Sequence, residues 1–174
     1  MFSNESRCWY AVRVKSNRER VTAAVLKARD YEVLYPSYSE SRTRGSLTKE
    51  LPLFPGYIFC RLDVNDRLPV LMVSGVVHIV GNGRTPEPVD PVEMAGVFAL
   101  LQSQLPLRPT AYPPVGERIQ MQSGPLRGVE GLVVAHKGAT ELVVSVSLLQ
   151  RSMAVDVDIR WIQPQRVYRN QIAS

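Results

Sequence analysis

The sequence predicts an α+β protein in two parts: an antiparallel sheet with packed helices, then a proline-rich linker and a small β-barrel. Three observations carry this. The first half interleaves strand-like apolar runs with helical stretches, the texture of helices packed on a hairpin-linked sheet. Four prolines fall between Leu105 and Pro114 and keep that stretch extended. Beyond them apolar and polar residues alternate in short segments with glycine corners, the period of strands in a curled sheet. The parts are assigned to residues 8–105, 106–114 and 115–168.

Cys8 to Val14 is rich in aromatic and β-branched residues and predicts the first strand. Ser16 and Glu19 then stand at capping-box spacing. Val21, Ala24, Val25 and Ala28 recur at helical intervals, so they are the expected apolar stripe of a helix with a basic outer side. Glu32 to Tyr38 predicts a second strand broken at Pro36. The polar stretch from Ser39 to Glu50 predicts a loop or hairpin tip. A strand from Tyr57 to Leu62 follows, then a short helix near Leu68 to Val73, with Asp66 as its expected cap and Pro69 in its first turn. Val76 to Val80 is a further strand. Thr85 to Val89 is an extended link, and Asp90-Pro91 opens a helix whose stripe is Met94, Val97, Phe98 and Leu101.

In the barrel region Leu142, Val144, Val146 and Leu148 alternate with Val143, Ser145 and Ser147, and Met153, Val155, Val157 and Ile159 alternate with Ala154, Asp156 and Asp158. The β-branched density here favours strands over any stable helical state.

With 45% hydrophobic and 21% charged residues the composition is that of a folded chain. A net charge of +5 is compatible with nucleic acid or an acidic partner. Nothing resembles a signal peptide or a run of about 18 apolar residues, so a cytoplasmic, non-membrane protein is expected. Cys8 and Cys60 lie in strand-like runs and read as thiols in a reducing compartment, with a disulfide between them left open. Together with His78 and His136 they lack the short spacings of a metal site, so neither metal nor cofactor is expected. No nucleophile elbow, phosphate loop or dinucleotide fingerprint occurs. Asp156 and Asp158 share a strand face without a polar enclosure. The chain reads as a binding protein, not an enzyme.

Its most informative stretch is Phe54-Pro55-Gly56-Tyr57. Pro55 fixes its φ and Gly56 permits a positive one, so the backbone can reverse between two aromatics. The expectation is a rigid apolar patch at a domain surface, either a partner site or a core corner.

These residues resemble the NusG family of transcription elongation factors. Trp9-Tyr10 with Ser16, Asn17 and Glu19 resembles the start of that family's N-terminal (NGN) domain. Leu53 to Phe59 matches its most distinctive motif, and Gly116-Glu117, Gly124-Pro125-Leu126, Gly128, Gly131 and Val144 to Ser147 resemble its KOW barrel. The resemblance implies docking on the β′ clamp helices of RNA polymerase, with Phe54, Pro55, Gly56 and Tyr57 as the docking motif and Trp9 and Tyr10 beside it. It implies reduced pausing and antitermination. Lys15, Asn17, Arg18 and Arg20 would face upstream or non-template DNA. Leu148, Leu149, Gln150 and Arg151 match the barrel loop that engages Rho or a small-subunit ribosomal protein. The housekeeping factor typically carries an aromatic at the position of Leu149 and a glycine at that of Gln150. That departure weighs against Rho engagement, and the Gly75-Val76-Val77 turn and compact length resemble the specialised paralogues of the RfaH or capsule-locus kind, which act on selected operons. The housekeeping factor and an RNA- or ribosome-binding KOW protein are the alternatives. A monomer is expected.

Overall fold

The computed structural model describes residues 7–41, 48–112, 116–136 and 138–162. Strands β1 (Cys8–Val14), β2 (Glu32–Leu34), β5 (Tyr57–Leu62) and β6 (Val76–Ile79) form an antiparallel sheet in the order β2-β5-β1-β6. Helix α1 (Glu19–Lys27) and the single turn α2 (Leu68–Leu71) cover one face. Strands β3 (Ser37–Ser41) and β4 (Thr48–Pro52) form a separate hairpin. Pro36 separates β2 from β3, as its missing N–H requires. A two-residue ladder, β7 (Gly81–Asn82) with β8 (Thr85–Pro86), leads to α3 (Pro91–Gln102).

The period of two along β1 and β5 sorts their residues cleanly. Tyr10, Val12 and Val14 join Ile58, Cys60 and Leu62 under α1 and α2. Trp9 and Ala11 join Tyr57 and Phe59 on the opposite face, against α3. Tyr10 therefore does not sit beside Trp9; it is buried on the other side of the sheet, and burial pushes its phenol pKa up.

Helix α1 corrects the expected stripe. Glu19, Thr22, Ala23 and Leu26 are buried, whereas Val21 and Val25 are exposed. Both sets have helical spacing, and the deciding members are Leu26, the largest apolar side chain of the helix, and Glu19, which no hydropathy reading selects as buried. The expected capping box is also absent. Arg18 occupies the N-cap without a side-chain bond, because the Glu19 carboxylate is used elsewhere. Asp66 does not cap α2; Asp63 caps the preceding 3-10 turn by accepting from the Asn65 N–H at 2.9 Å. Asp90 does cap α3, accepting from the Val92 N–H at 2.7 Å and the Glu93 N–H at 3.3 Å.

The second part is a five-stranded antiparallel sheet in the order β10-β11-β12-β13-β9. Its strands are β9 (Leu107–Ala111), β10 (Glu117–Gln120), β11 (Glu130–His136), β12 (Ala139–Val146) and β13 (Arg151–Asp156). The first of these lies in the stretch expected to be linker. It is extended as its prolines demand, yet it pairs with β13, Pro109 standing opposite Met153. An edge position tolerates the missing donor. Asp156 lies on a solvated surface, as expected, where it and Glu141 both pair with Arg108.

Helix α3 is wedged between the two sheets. Met94, Val97 and Leu100 are buried, and Gly96 lies against Val144 of the barrel, where an added Cβ would stand 3.0 Å from the valine methyl. One apolar core thus runs from Phe54 and Phe59 through α3 to Leu142, Val144 and Met153. A helix apolar on more than one side is what such a wedge requires.

Candidate functional site

Residues 54–57 form a hydrogen-bonded turn, the Tyr57 N–H donating to the Phe54 carbonyl at 3.0 Å. Proline at its second position and glycine at φ +83° at its third define a type II turn. Three contacts fix it to the body. The Val14 N–H donates to the Gly56 carbonyl at 2.9 Å, and the Glu19 carboxylate accepts from the Gly56 N–H at 2.8 Å. The Arg13 guanidinium lies over the Tyr57 ring at 4.9 Å. It also occupies the space where any Cβ at residue 56 would project.

This corrects the expected exposed pair of aromatics. Phe54 is 0% exposed and packs edge-on against Phe59 with ring centroids 5.4 Å apart. The turn directs Phe54 inward and leaves Pro55 outside and Tyr57 half-buried. Trp9 is also remote from Tyr57. It pairs across the ladder with Arg61, whereas Tyr57, four residues earlier in β5, pairs with Arg13. Trp9 instead meets Phe98 of α3, edge-on at 5.3 Å. Of the six aromatic-turn candidates, only Pro55, Gly56 and Tyr57 share one surface.

Lys15, Asn17, Arg18 and Arg20 are all exposed and bracket the start of α1. Asn17 takes a left-handed φ of 63°, a conformation that asparagine accepts more readily than most residues. Arg20 meets Glu50 at 3.7 Å across solvent, a weak pairing. The basic group adjoins the aromatic turn, because Glu19, between Arg18 and Arg20, is the residue that holds Gly56. Arg13 was missed from sequence, and Glu19 was read as a capping partner with no sign of its attachment to the turn.

In the barrel loop Leu149 is buried, Leu148 half-buried, and Gln150 and Arg151 exposed. Gln150 adopts a left-handed φ of 51° and donates from its side chain to the Ser147 carbonyl at 2.8 Å. The loop is turned toward α3: the Ser147 N–H and hydroxyl both donate to the Glu93 carboxylate. Among the described residues no cluster of histidine, cysteine or acidic groups has the makings of a metal site, and no helix is long and apolar enough to cross a membrane.

The architecture is a layered α+β unit followed by a five-stranded antiparallel sheet, the two sharing one apolar core. Residues 7–98 match the family model described as transcription termination factor nusG, and the chain belongs to the NusG family, whose members are transcription factors and not enzymes. It is 27% identical to the transcription termination/antitermination protein NusG of Thermus thermophilus, over 86% of this chain and 94% of that protein. It is 26% identical to the protein of the same description from Buchnera aphidicola, over 94% of this chain and 99% of the relative. A solved structure described as a domain interaction in Thermotoga maritima NusG superposes with a TM-score of 0.56, covering 91% of this chain and 97% of that one at 22% identity, a likeness of fold.

Proposed function

We propose that this chain is a transcription elongation factor that docks on the clamp helices of RNA polymerase through Pro55 and Tyr57, suppresses pausing and promotes antitermination on selected operons. The carrying observation is the tethered turn. Gly56 is held by two backbone bonds, one of them to a buried carboxylate, so Tyr57 and Pro55 are presented without the ordering cost of a mobile loop. Rigid aromatic anchors of this kind dominate protein interfaces. Phe54 supports the surface from within and Trp9 anchors α3, whereas Tyr10 belongs to the core on the other face of the sheet.

Lys15, Asn17, Arg18 and Arg20 form the nucleic-acid face in this reading. Cations at a helix N-terminus oppose the helix dipole, and bound phosphate relieves that opposition. Contacts of this type supply affinity without sequence preference. The barrel, through Leu148 to Arg151, is the module for a further partner, Rho or a ribosomal protein. Its loop must leave Glu93 to be fully available.

The test is single-round transcription through a pause site with purified polymerase, with binding measured in parallel. Tyr57→Ala is expected to lose about 1–3 kcal/mol of polymerase affinity and to cost the fold about 0.5–1 kcal/mol through the lost Arg13 contact, so the variant stays folded. Full pause suppression by a Pro55→Ala, Tyr57→Ala double variant overturns the proposal.

A further inference from the structure

We infer that Arg13 is a docking residue that takes a carboxylate of the partner, so that the element seated on Pro55 and Tyr57 carries an acidic side chain beside its apolar one. The inference rests on the docking surface proposed above and adds the chemistry of what that surface grips. In the ladder Arg13 stands between His78 of β6 and Tyr57 of β5. Residues directly opposite one another share a face, so these three side chains form one row across the sheet. The neighbouring row, Ala11 and Phe59, is buried in the core against α3. The row of His78, Arg13 and Tyr57 lies beyond that cover. His78 is exposed and the other two are half-buried.

The sign of the ligand follows from what surrounds the guanidinium. It lies over Tyr57 and against Gly56. Among the described residues no hydrogen bond and no ion pair engages it. Its five N–H donors are unused in a half-buried setting, where an unpaired cation is costly. Neither flanking member of the row is acidic. Glu19 is the carboxylate of the turn, and it holds Gly56 from α1, which covers the other face of the sheet. Arg13, Lys15 and Arg18 outnumber it there, while Arg20 is offset by Glu50. Asp90 and Glu93 lie at the far end of the Arg13 face, beside Trp9. A carboxylate matches this setting, because a planar guanidinium offers it two parallel donors. A phosphate would accept the same bonds, but the guanidinium lies within the Pro55–Tyr57 surface, on the face away from α1 and its basic start. The spacing suits a helical partner. The guanidinium is 4.9 Å from the Tyr57 ring centre. Side chains three or four apart on a helix have Cβ atoms about 5–6 Å apart. An apolar residue and an Asp or Glu at that interval reach Tyr57 and Arg13 together.

The test measures binding of the full-length protein to core polymerase free of nucleic acid, over a range of salt. Arg13→Met keeps a flexible chain over Tyr57 and removes the charge and the donors. It should weaken binding about tenfold or more at low salt and flatten the salt dependence. Arg13→Lys keeps the charge without the fork, so its affinity should fall between the two while the salt dependence stays parent-like. Arg29→Met makes the same change in net charge beyond the opposite end of α1 and should bind as the parent does. The flattening should persist when Arg13→Met is made in a Tyr57→Ala background, which separates a direct contact from mere support of the ring. Parent-like affinity and salt dependence in Arg13→Met, equal flattening by Arg29→Met, or no further effect of Arg13→Met once Tyr57 is replaced overturns the inference and leaves the docking surface standing. A loss confined to single-stranded DNA binding, measured separately, overturns it in favour of a phosphate ligand. Parent-like binding by the Pro55→Ala, Tyr57→Ala double variant overturns the docking surface and this inference with it. Circular dichroism of each variant separates loss of the contact from loss of fold.

Discussion

Replacing Gly56 by alanine probes the tethered turn most directly. Gly56 sits at φ +83°, where an L-residue is strained by about 1–2 kcal/mol. Alanine stiffens the unfolded chain, which offsets about 0.4–1 kcal/mol of that strain. The new methyl must also displace the Arg13 guanidinium, which is the end of a flexible side chain and can swing aside. Doing so forfeits its position over Tyr57, a contact of about 0.5–1 kcal/mol at a partly exposed ring. The net expected destabilisation is about 1–2 kcal/mol. Equilibrium urea unfolding measures it. An Arg13→Ala background removes the guanidinium beforehand, so Gly56→Ala should there cost about 0.5–1 kcal/mol less. If Gly56→Ala matches the parent, the positive φ is not an obligation of the turn. If the two substitutions are simply additive, Arg13 does not cover Gly56, and the reasoning fails at that contact.

Phe54→Ala should act on the fold, costing about 3–5 kcal/mol in urea unfolding, because the ring is wholly buried against Phe59; a parent-like midpoint would place the ring outside. Burial pushes the Cys60 thiol up to about 12, so a thiol reagent at mildly alkaline pH should modify exposed Cys8 in the native protein and Cys60 only after denaturant is added. Rapid modification of both in the native state would contradict the packing of β5. Hydrogen bonds from Arg160 lower the Asp158 carboxyl from its ordinary 3.8 to about 2. A folded pKa below the unfolded one means that the linkage is complete above the ordinary carboxylate range and disappears as pH falls through about 2. A carboxyl NMR titration of Asp158 with an ordinary midpoint would refute the pairing.

The strands of the first module were legible because β1, β5 and β6 carry dense β-branched and aromatic runs, and α3 because Asp90-Pro91 is an unambiguous start. The side of each residue was less legible. Trp9 and Tyr10 are adjacent in sequence and so point to opposite faces, a consequence of strand geometry that a motif-based grouping overlooks. Helix α1 offered two stripes of equal spacing, and the true one contains a charged residue whose partner, the Gly56 N–H, lies 37 positions away. Phe54 looked like a surface anchor because turns usually face solvent, yet a type II turn at a strand entrance can send its first side chain inward. The pairing of β9 with β13 depends on a partner more than 40 residues distant, and its prolines signalled extension without signalling a neighbour.

The continuous apolar core through α3 has a consequence for how the chain can be divided. Severing it near residue 105 strips the glycine-lined flank of α3 and the Val144 side of the barrel of their mutual cover in a single cut. Each fragment then carries a sticky scar that the intact chain does not possess. Melting of the uncut protein should accordingly proceed as one event shared by both halves.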